Sequence, residues 1–475
     1  MMHDLGVGAR AARDARSVTK ESAVPQHPSV DLSPFPPGFR WSAATAAFQV
    51  EGSRQADGRG RSIWDDFVDS PDAIRDGATA DPGPDSYRRH LDDVRLLAAL
   101  GVDRYRFSLS WVRVQPEPGG PVVQAGLDYY RRLADDLLDA GVTPFATLYH
   151  WDLPSVLEER GGWLDRDTAL RFGEYVEIVG NALGDRIRHW YTLNEPVSTS
   201  LQGYAVGTLA PGRQLLFGSL PTVHHQLLAH GLAVRSLRAA GAQEAGIVNN
   251  HTLVLPAGQT EADIAAAGVY DLLHNRIFAD PVLTGRYPDL ESFGLPPMPV
   301  HADDLDLICA PGDFYGINFY NPTTVGRALG DSPVPFEIRP TPGAPVTGFG
   351  PEWPIVPESL TRLLINLRDR YGDRLPPLVI GENGASFPEP DHVDRALDDA
   401  ERIAYLAGHI DAVGAAVRAG VDVREYTVWS LLDNFEWADG WSQRFGLVHV
   451  DFDTASRTPK ASYDWYRSLI AEARS

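Results

Sequence analysis

Residues Ser86 to Trp111 read SYRRHLDDVRLLAALGVDRYRFSLSW. Tyr87, Leu91, Val94, Leu97 and Ala98 recur at helical spacing up to Leu100, Gly101 marks a stop, and Tyr105 to Trp111 reads as a short buried strand. The same order of helix, glycine and strand returns along the chain. Leu127 to Ala140 precedes Gly141 and Thr143 to His150, and Leu170 to Leu183 precedes Gly184 and Ile187 to Asn194. A helix ending near Gly241 precedes Gly246 to Leu255, and one ending near Gly420 precedes Val423 to Leu432. Alternating helices and short buried strands require parallel pairing with crossover helices. Phe39 to Ala46, Phe314 to Tyr320 and Leu378 to Gly381 complete a set of eight strands. Eight strands, with no glycine-rich nucleotide fingerprint after the first, predict an α/β fold: a single (β/α)8 TIM barrel rather than a doubly wound sheet.

The chain has 475 residues, with 42 Lys and Arg against 64 Asp and Glu, a net charge of −22. An acidic surface of this kind repels phosphate backbones and anionic lipid, which excludes nucleic acid and membrane surfaces as expected partners. Cys309 is the only cysteine, so no intrachain disulfide exists, and a reducing, cytoplasmic setting is expected. No apolar run reaches the roughly 18 residues of a spanning helix, and the first residues lack the apolar stretch of a secretory signal. Residues 1–34 are expected to be a disordered tail and 35–475 a barrel catalytic domain. The Pro-rich stretches Leu295 to Val300 and Ser332 to Pro345 are expected to be long loops of that domain.

Barrel enzymes carry their working side chains where strands end. Those ends bear Gln49 and Glu51, His150 and Asp152, Asn194 and Glu195, His251, Asn318 and Tyr320, Glu382 and Asn383, then Asp433, Asn434 and Glu436. Trp41, Trp111, Trp151, Trp429 and Trp437 lie among them in the sequence. Aromatic faces beside amides and carboxylates suit a carbohydrate, whose C–H faces stack on indole while its hydroxyls need many polar partners. Glu195 in TLNEP and Glu382 in VIGENG each end an apolar strand, and strands four and seven face each other across an eight-strand ring. Glycoside cleavage needs such a pair, one acid for the leaving oxygen and one carboxylate to attack the anomeric carbon or activate water. His224 and His225 are adjacent on a helix and so face different ways, which reads as structural or exposed rather than metal-binding. No metal and no cofactor are expected.

At these residues the chain resembles glycoside hydrolase family 1, whose best-known members are β-glucosidases. The resemblance runs from Phe39 to Tyr466 through FRWSAATAAFQVEG, GRGRSIWDDF, YRFSLSW, TLYHWDLP, TLNEP, NRIFADPVLTGRYP, DFYGINFY, IGENG, VWSLLDNFEWADG and RFGLVHVDF, in family order. It implies Glu195 as acid/base and Glu382 as nucleophile, flanked by Arg106 and Tyr320 and supported by Asn318. It also implies Gln49, His150, Asn194, Glu436 and Trp437 as binders of the glycone hydroxyls, with Trp429 under the sugar ring. A cation and a phenol beside Glu382 are expected to keep it ionised while Glu195 keeps its proton.

Four positions depart from the family pattern: Ser42 where glycine is usual, Arg61 where proline is usual, Val197 where an aromatic or alanine is common, and Gly381 where threonine commonly precedes the nucleophile. Gly381 is expected to loosen the strand end. The resemblance implies a retaining β-glucosidase acting on terminal non-reducing β-D-glucosyl residues of small glycosides or oligosaccharides. A 6-phospho-β-glycosidase, a transglycosylase and a catalytically dead sugar-binding barrel stand as alternatives. The sequence leaves open the aglycone, glucose against galactose or fucose, and the oligomeric state.

Overall fold

Eight parallel strands close into a barrel: β1 (Arg40–Ala44), β2 (Arg104–Ser108), β3 (Thr143–Thr147), β4 (His189–Asn194), β5 (Glu244–Asn250), β6 (Tyr315–Asn318), β7 (Leu378–Asn383) and β8 (Val423–Trp429). The ring is sealed where β1 pairs with β8, Arg40 opposite Glu425 and Ala44 opposite Trp429. The computed structural model describes residues 28–387 and 393–475. The expected (β/α)8 architecture is therefore the observed one.

The helix that follows each strand carries its number: α1 (Ser86–Leu100), α2 (Gln124–Asp139), α3 (Arg166–Leu183), α4 (Leu220–Ala239), α5 (Glu261–Asp271), α6 (Glu358–Tyr371), α7 (Ala400–Arg418) and α8 (Ala461–Ala473). Gly101, Gly141, Gly241 and Gly420 stop their helices at φ of 79°, 76°, 85° and 88°, a conformation costly for any residue with a Cβ. Gly184 differs: it stays helical at φ −66°, and an added Cβ would lie 3.1 Å from the Ala240 carbonyl oxygen, so it is there for space.

Two expected segments are more divided than the sequence suggested. The apolar run Gly246 to Leu255 leaves the barrel after Asn250, and Val254–Pro256 pairs with Thr323–Arg327 in a separate three-stranded sheet. The proline-rich stretch 332–345 is not all loop, since Phe336–Arg339 supplies the third strand of that sheet. Of the tail expected over 1–34, residues 1–27 lie outside the described residues. Residues 28–34 lie against the barrel: the Asp31 backbone N–H donates to Asp411 at 3.0 Å, Arg418 pairs with the Asp31 carboxylate at 2.8 Å, and Val30 and Leu32 pack on the core.

The barrel interior is layered. At the N-terminal end, Glu425 accepts from Arg40 and Arg104, both at 3.0 Å, and from Ser42 Oγ at 2.7 Å, so the serine that replaces glycine has a buried partner. Above it Phe145 stacks on Tyr191 with centroids 4.2 Å apart. Arg106 then lies over Tyr191, its guanidinium carbon 4.6 Å from the ring centre, and reaches the C-terminal face. Arg61, in place of proline, pairs with Asp66 and Asp69 at 2.7 Å each on the outside.

Candidate active site

Arg106 links the barrel interior to a buried polar cluster at the ends of β2, β4, β6 and β7. Its Nη1 donates to Glu382 Oε1 at 2.6 Å and to the Gly381 carbonyl at 2.8 Å, and its Nη2 donates to Asn194 Oδ1 at 2.6 Å. The second oxygen of Glu382 accepts from the Tyr320 hydroxyl at 2.6 Å. Both carboxylate oxygens are thus held, with none of their donors on Glu382's own strand.

Glu195 sits one residue beyond β4, at φ 46°. Its backbone N–H donates to the Val248 carbonyl at 2.9 Å, which ties the turn to β5. Oε1 accepts from Asn318 Nδ2 at 2.7 Å and Asn250 Nδ2 at 3.3 Å, while Oε2 accepts from Ser198 Oγ at 2.7 Å. Asn318 Nδ2 and Arg106 Nη2 both donate to Asn194 Oδ1, so this one amide oxygen joins the donors of the two carboxyl groups.

Burial and the neighbouring Glu382 charge push the Glu195 carboxyl up to about 7. Burial raises Glu382 as well, against the pull of Arg106 and Tyr320. The expectation that a cation and a phenol depress Glu382 is therefore not met: desolvation outweighs them, and they limit the rise.

The hydrogen bonds also assign tautomers. Asn194 Oδ1 accepts from Arg106, and from Asn318 Nδ2 at 3.0 Å, so its nitrogen faces His150 Nε2 at 3.0 Å. That ring nitrogen must accept, and burial together with Arg106 pushes the His150 pKa well down, so the ring is neutral with its proton on Nδ1. Gln49 Nε2 donates to the Phe435 carbonyl at 2.9 Å and Asn434 Oδ1 at 3.1 Å and approaches Glu436 Oε2 at 3.4 Å, leaving buried Oε1 without a partner among the described residues. Glu436 is half-buried, and its carboxyl is raised well above the usual range, first by desolvation and then by Asp439, Glu382 and Glu195.

Aromatic side chains wall this cluster. Trp437, at φ 49°, lies 4.5 Å from Trp151 and 4.4 Å from Trp64, and the rings of Trp429 and Trp437 lie 5.8 and 5.9 Å from His150. On the far side Trp429 clusters with Tyr320, Phe445, Phe349 and Trp353.

This arrangement of two buried carboxyls, each held by a different set of donors within an aromatic-walled barrel mouth, accompanies a match of residues 32–475 to the model of glycosyl hydrolase family 1. The chain belongs to that family. It is 44% identical over 481 residues to the thermostable beta-glucosidase B of Thermobispora bispora, covering 97% of this chain and 95% of that one. The psychrophilic beta-glucosidase of Micrococcus antarcticus superposes with a TM-score of 0.88 at 44% identity, covering 93% and 98%. The beta-glucosidase of Thermotoga maritima in complex with glucoimidazole gives 0.87 at 39% identity, covering 92% and 99%. This chain is a glycoside hydrolase of family 1.

All eleven residues singled out from the sequence, namely Glu195, Glu382, Arg106, Tyr320, Asn318, Gln49, His150, Asn194, Trp429, Glu436 and Trp437, belong to the cluster or its walls. Of the other strand-end residues, Asn434 joins the cluster through Gln49 at 3.1 Å, and four are held in separate contacts. Glu51 accepts from Arg113 at 2.8 Å and Tyr130 at 2.7 Å, Asp433 pairs with Lys460 at 2.8 Å, Asn383 reaches Phe319 O at 2.7 Å, and His251 bonds Asn275 at 3.0 Å. Trp41 packs on Tyr466 near the closed end and Trp111 stacks on Tyr175 outside the barrel, so neither joins the site. His224 and His225 are buried and structural: His224 meets Asp304 at 3.0 Å and Tyr287 at 2.9 Å, and His225 meets the Trp163 carbonyl at 2.9 Å. Among the described residues no group of three or more His, Cys, Asp or Glu is arranged around a metal position, and no helix is long and apolar enough to cross a membrane.

Gly381 does not loosen the strand. An added Cβ would lie 2.8 Å from Val248 Cγ2 and 2.9 Å from Asn318 Oδ1, so the strand end is closely packed and threonine has no room. Sequence reasoning missed Ser198 and Asn250; Trp151, which it did place among the strand-end aromatics, donates its Nε1 to the Asn194 carbonyl at 3.0 Å. Ser198 carries a faint sequence signal, a hydroxyl residue three positions after a strand-end acid.

Proposed function

We propose that this chain is a retaining β-glucosidase that releases terminal β-D-glucosyl residues from the non-reducing ends of small β-glycosides or oligosaccharides. Glu382 attacks the anomeric carbon from the α face while Glu195 delivers its proton to the departing oxygen. Water then enters, Glu195 takes its proton, and the glycosyl-enzyme ester on Glu382 is displaced with net retention. Arg106 and Tyr320 favour the ionised nucleophile and orient both its oxygens. Glu195, lacking a cation of its own, is the group that keeps a proton near neutral pH.

The observation that carries this reading is the unlike holding of two buried carboxyls: Arg106 and Tyr320 donate to Glu382, while the neutral groups Asn318, Asn250 and Ser198 donate to Glu195. Retention, which requires the two carboxyl groups roughly 5 to 5.5 Å apart rather than the 6.5 to 9.5 Å of inverting enzymes, is supported by the family to which the chain belongs. Gln49 Oε1 and His150 Nδ1–H are an acceptor and a donor for glycone hydroxyls. Asn194 serves the 2-hydroxyl, and Glu436 the 4- and 6-hydroxyls. Trp429 and Trp437 bound the ring. Glucose as the glycone is supported by the activity named for the relatives above. The single thiol of Cys309 supports a reducing, cytoplasmic setting.

Proton NMR of 4-nitrophenyl β-D-glucoside hydrolysis tests the stereochemistry. The first product signal should be the β anomer of glucose, with the α anomer appearing only through mutarotation. First appearance of the α anomer would overturn the two-step mechanism.

A further inference from the structure

Glu195 has two oxygens in chemically different surroundings. Oε1 faces the amide nitrogens of Asn318 at 2.7 Å and Asn250 at 3.3 Å. The orientation of Asn318 is dictated by the rest of the network: its Nδ2 also donates to Asn194 Oδ1, and that atom must be the oxygen because Arg106 Nη2 donates to it at 2.6 Å. An amide N–H has no lone pair with which to accept, so a proton on Oε1 would be set against the N–H donors there. Oε2 instead faces Ser198 Oγ at 2.7 Å, and a hydroxyl both donates and accepts by rotating.

The backbone makes this contact rigid. Glu195 adopts φ 46°, a conformation disfavoured for a residue with a side chain. The resulting turn brings the Ser198 N–H to the Glu195 carbonyl at 3.0 Å, so Ser198 holds Glu195 at both backbone and carboxyl. The nine-residue π-helix Ser198–Val206 begins at this serine.

We propose that Ser198 is a positioning residue for the acid/base: its hydroxyl donates to Oε2 while Glu195 is ionised and accepts from Oε2 once Glu195 is protonated, keeping the transferable proton on Oε2. This rests on the reading of Glu195 as the acid/base. On productive binding the Oε2 proton turns from Ser198 to the glycosidic oxygen, and in the second step the hydroxyl again stabilises the carboxylate. The charged and titratable groups facing Glu195 are Glu382 from β7, Arg106 from β2, Tyr320 after β6 and Glu436 after β8. His251 after β5 is turned to Asn275 and Tyr315, and Tyr204, on the π-helix itself, donates to Glu158. Among the described residues no charged group therefore substitutes for Ser198 at Oε2.

Removing the hydroxyl takes a donor from the ionised form, so the apparent pKa of Glu195 must rise. In Ser198→Ala the alkaline limb of kcat/KM for 4-nitrophenyl β-glucoside should move up by about half to one pH unit, while Ser198→Thr, which keeps a hydroxyl, should stay with the parent. Difference infrared spectroscopy gives a second reading without turnover. The protonated-carboxyl band that disappears in Glu195→Gln should titrate at higher pH in Ser198→Ala. An unmoved band and limb in folded Ser198→Ala would overturn the proposal. A moved infrared band with an unmoved kinetic limb would retain the Ser198 contact and overturn Glu195 as the acid/base, so the two failures are distinguishable.

Discussion

Arg106 Nη1 lies 2.6 Å from Glu382 Oε1, and both side chains are buried at the end of the barrel interior. Desolvation alone pushes such a carboxyl up, and Arg106 is the largest opposing influence. Arg106→Met should therefore raise the pKa of Glu382 and shift the acid limb of kcat/KM toward neutral pH, since activity needs Glu382 ionised. Loss of one partner of a buried pair should also destabilise the fold by about 3–5 kcal/mol. A pH profile together with chemical denaturation checks both effects. An unmoved acid limb would contradict the assignment of Glu382 as the group that must be ionised.

Glu195→Gln should lower kcat/KM by about 10²- to 10⁴-fold on alkyl glucosides, whose leaving oxygen needs a proton, and far less on dinitrophenyl glucosides. The alkaline limb of the profile should flatten. Equal losses on both substrates would reduce Glu195 to a structural residue.

The same substitution has a stability signature. The Glu195 carboxyl rises from the ordinary 4.5 to about 7 in the folded protein, so the fold opposes its ionisation. The associated stability is present in full below about pH 4.5 and lost as pH climbs through 7, a penalty of up to about 3 kcal/mol. Glu195→Gln should raise Tm more at pH 8 than at pH 5, as differential scanning calorimetry would detect. An equal change in Tm at both pH values would contradict the raised pKa.

Glu436 and Asp439 place carboxyl groups at the glycone end of the pocket, and Arg75 beside them is paired to Asp439 at 2.6 Å. Lys460 is paired with Asp433, and no lysine lies between Lys20 and Lys460. A 6-phosphate of about −1.5 to −2 charges would add to the acidic neighbours that already raise the Glu436 carboxyl, and against its ionised form at ~4 Å and an effective dielectric near 20 it would lose several kcal/mol. Unphosphorylated glucosides should therefore have the higher kcat/KM, and Glu436→Ser should weaken them sharply. A preference for nitrophenyl 6-phosphoglucoside would reverse this conclusion.

Gly381 leaves no space for a side chain beside Val248 and Asn318. Gly381→Thr should cost about 1–3 kcal/mol through overpacking and displace the Asn318 amide from Glu195, lowering kcat/KM. Val248→Ala in the same chain should restore part of the stability. An active, fully stable Gly381→Thr would show that the strand end yields easily.

The barrel was legible because α1 and β2, and their later repeats, carry their periodicities and stops in adjacent residues. Glu195 and Glu382 were legible because each charge ends an apolar strand. Which strand-end residues face the barrel mouth was not. Glu51 and Asp433 look as functional as Glu436 in the sequence, yet Arg113 and Lys460, 62 and 27 positions away, hold them in structural pairs. Trp41 and Trp111 misled because the residues that cover them, Tyr466 and Tyr175, come from helices far along the chain. Ser198 was missed because its role depends on the positive φ at Glu195, which no residue type there announces.

The most direct test of the central claim removes the nucleophile and supplies another. In Glu382→Gly, hydrolysis of 2,4-dinitrophenyl β-glucoside should be abolished, and added azide should restore turnover by attacking C1 from the vacated side. The account predicts α-glucosyl azide as the product, identified by its anomeric proton coupling in NMR. Retained hydrolysis without azide, or formation of the β-azide in Glu382→Gly, would contradict it.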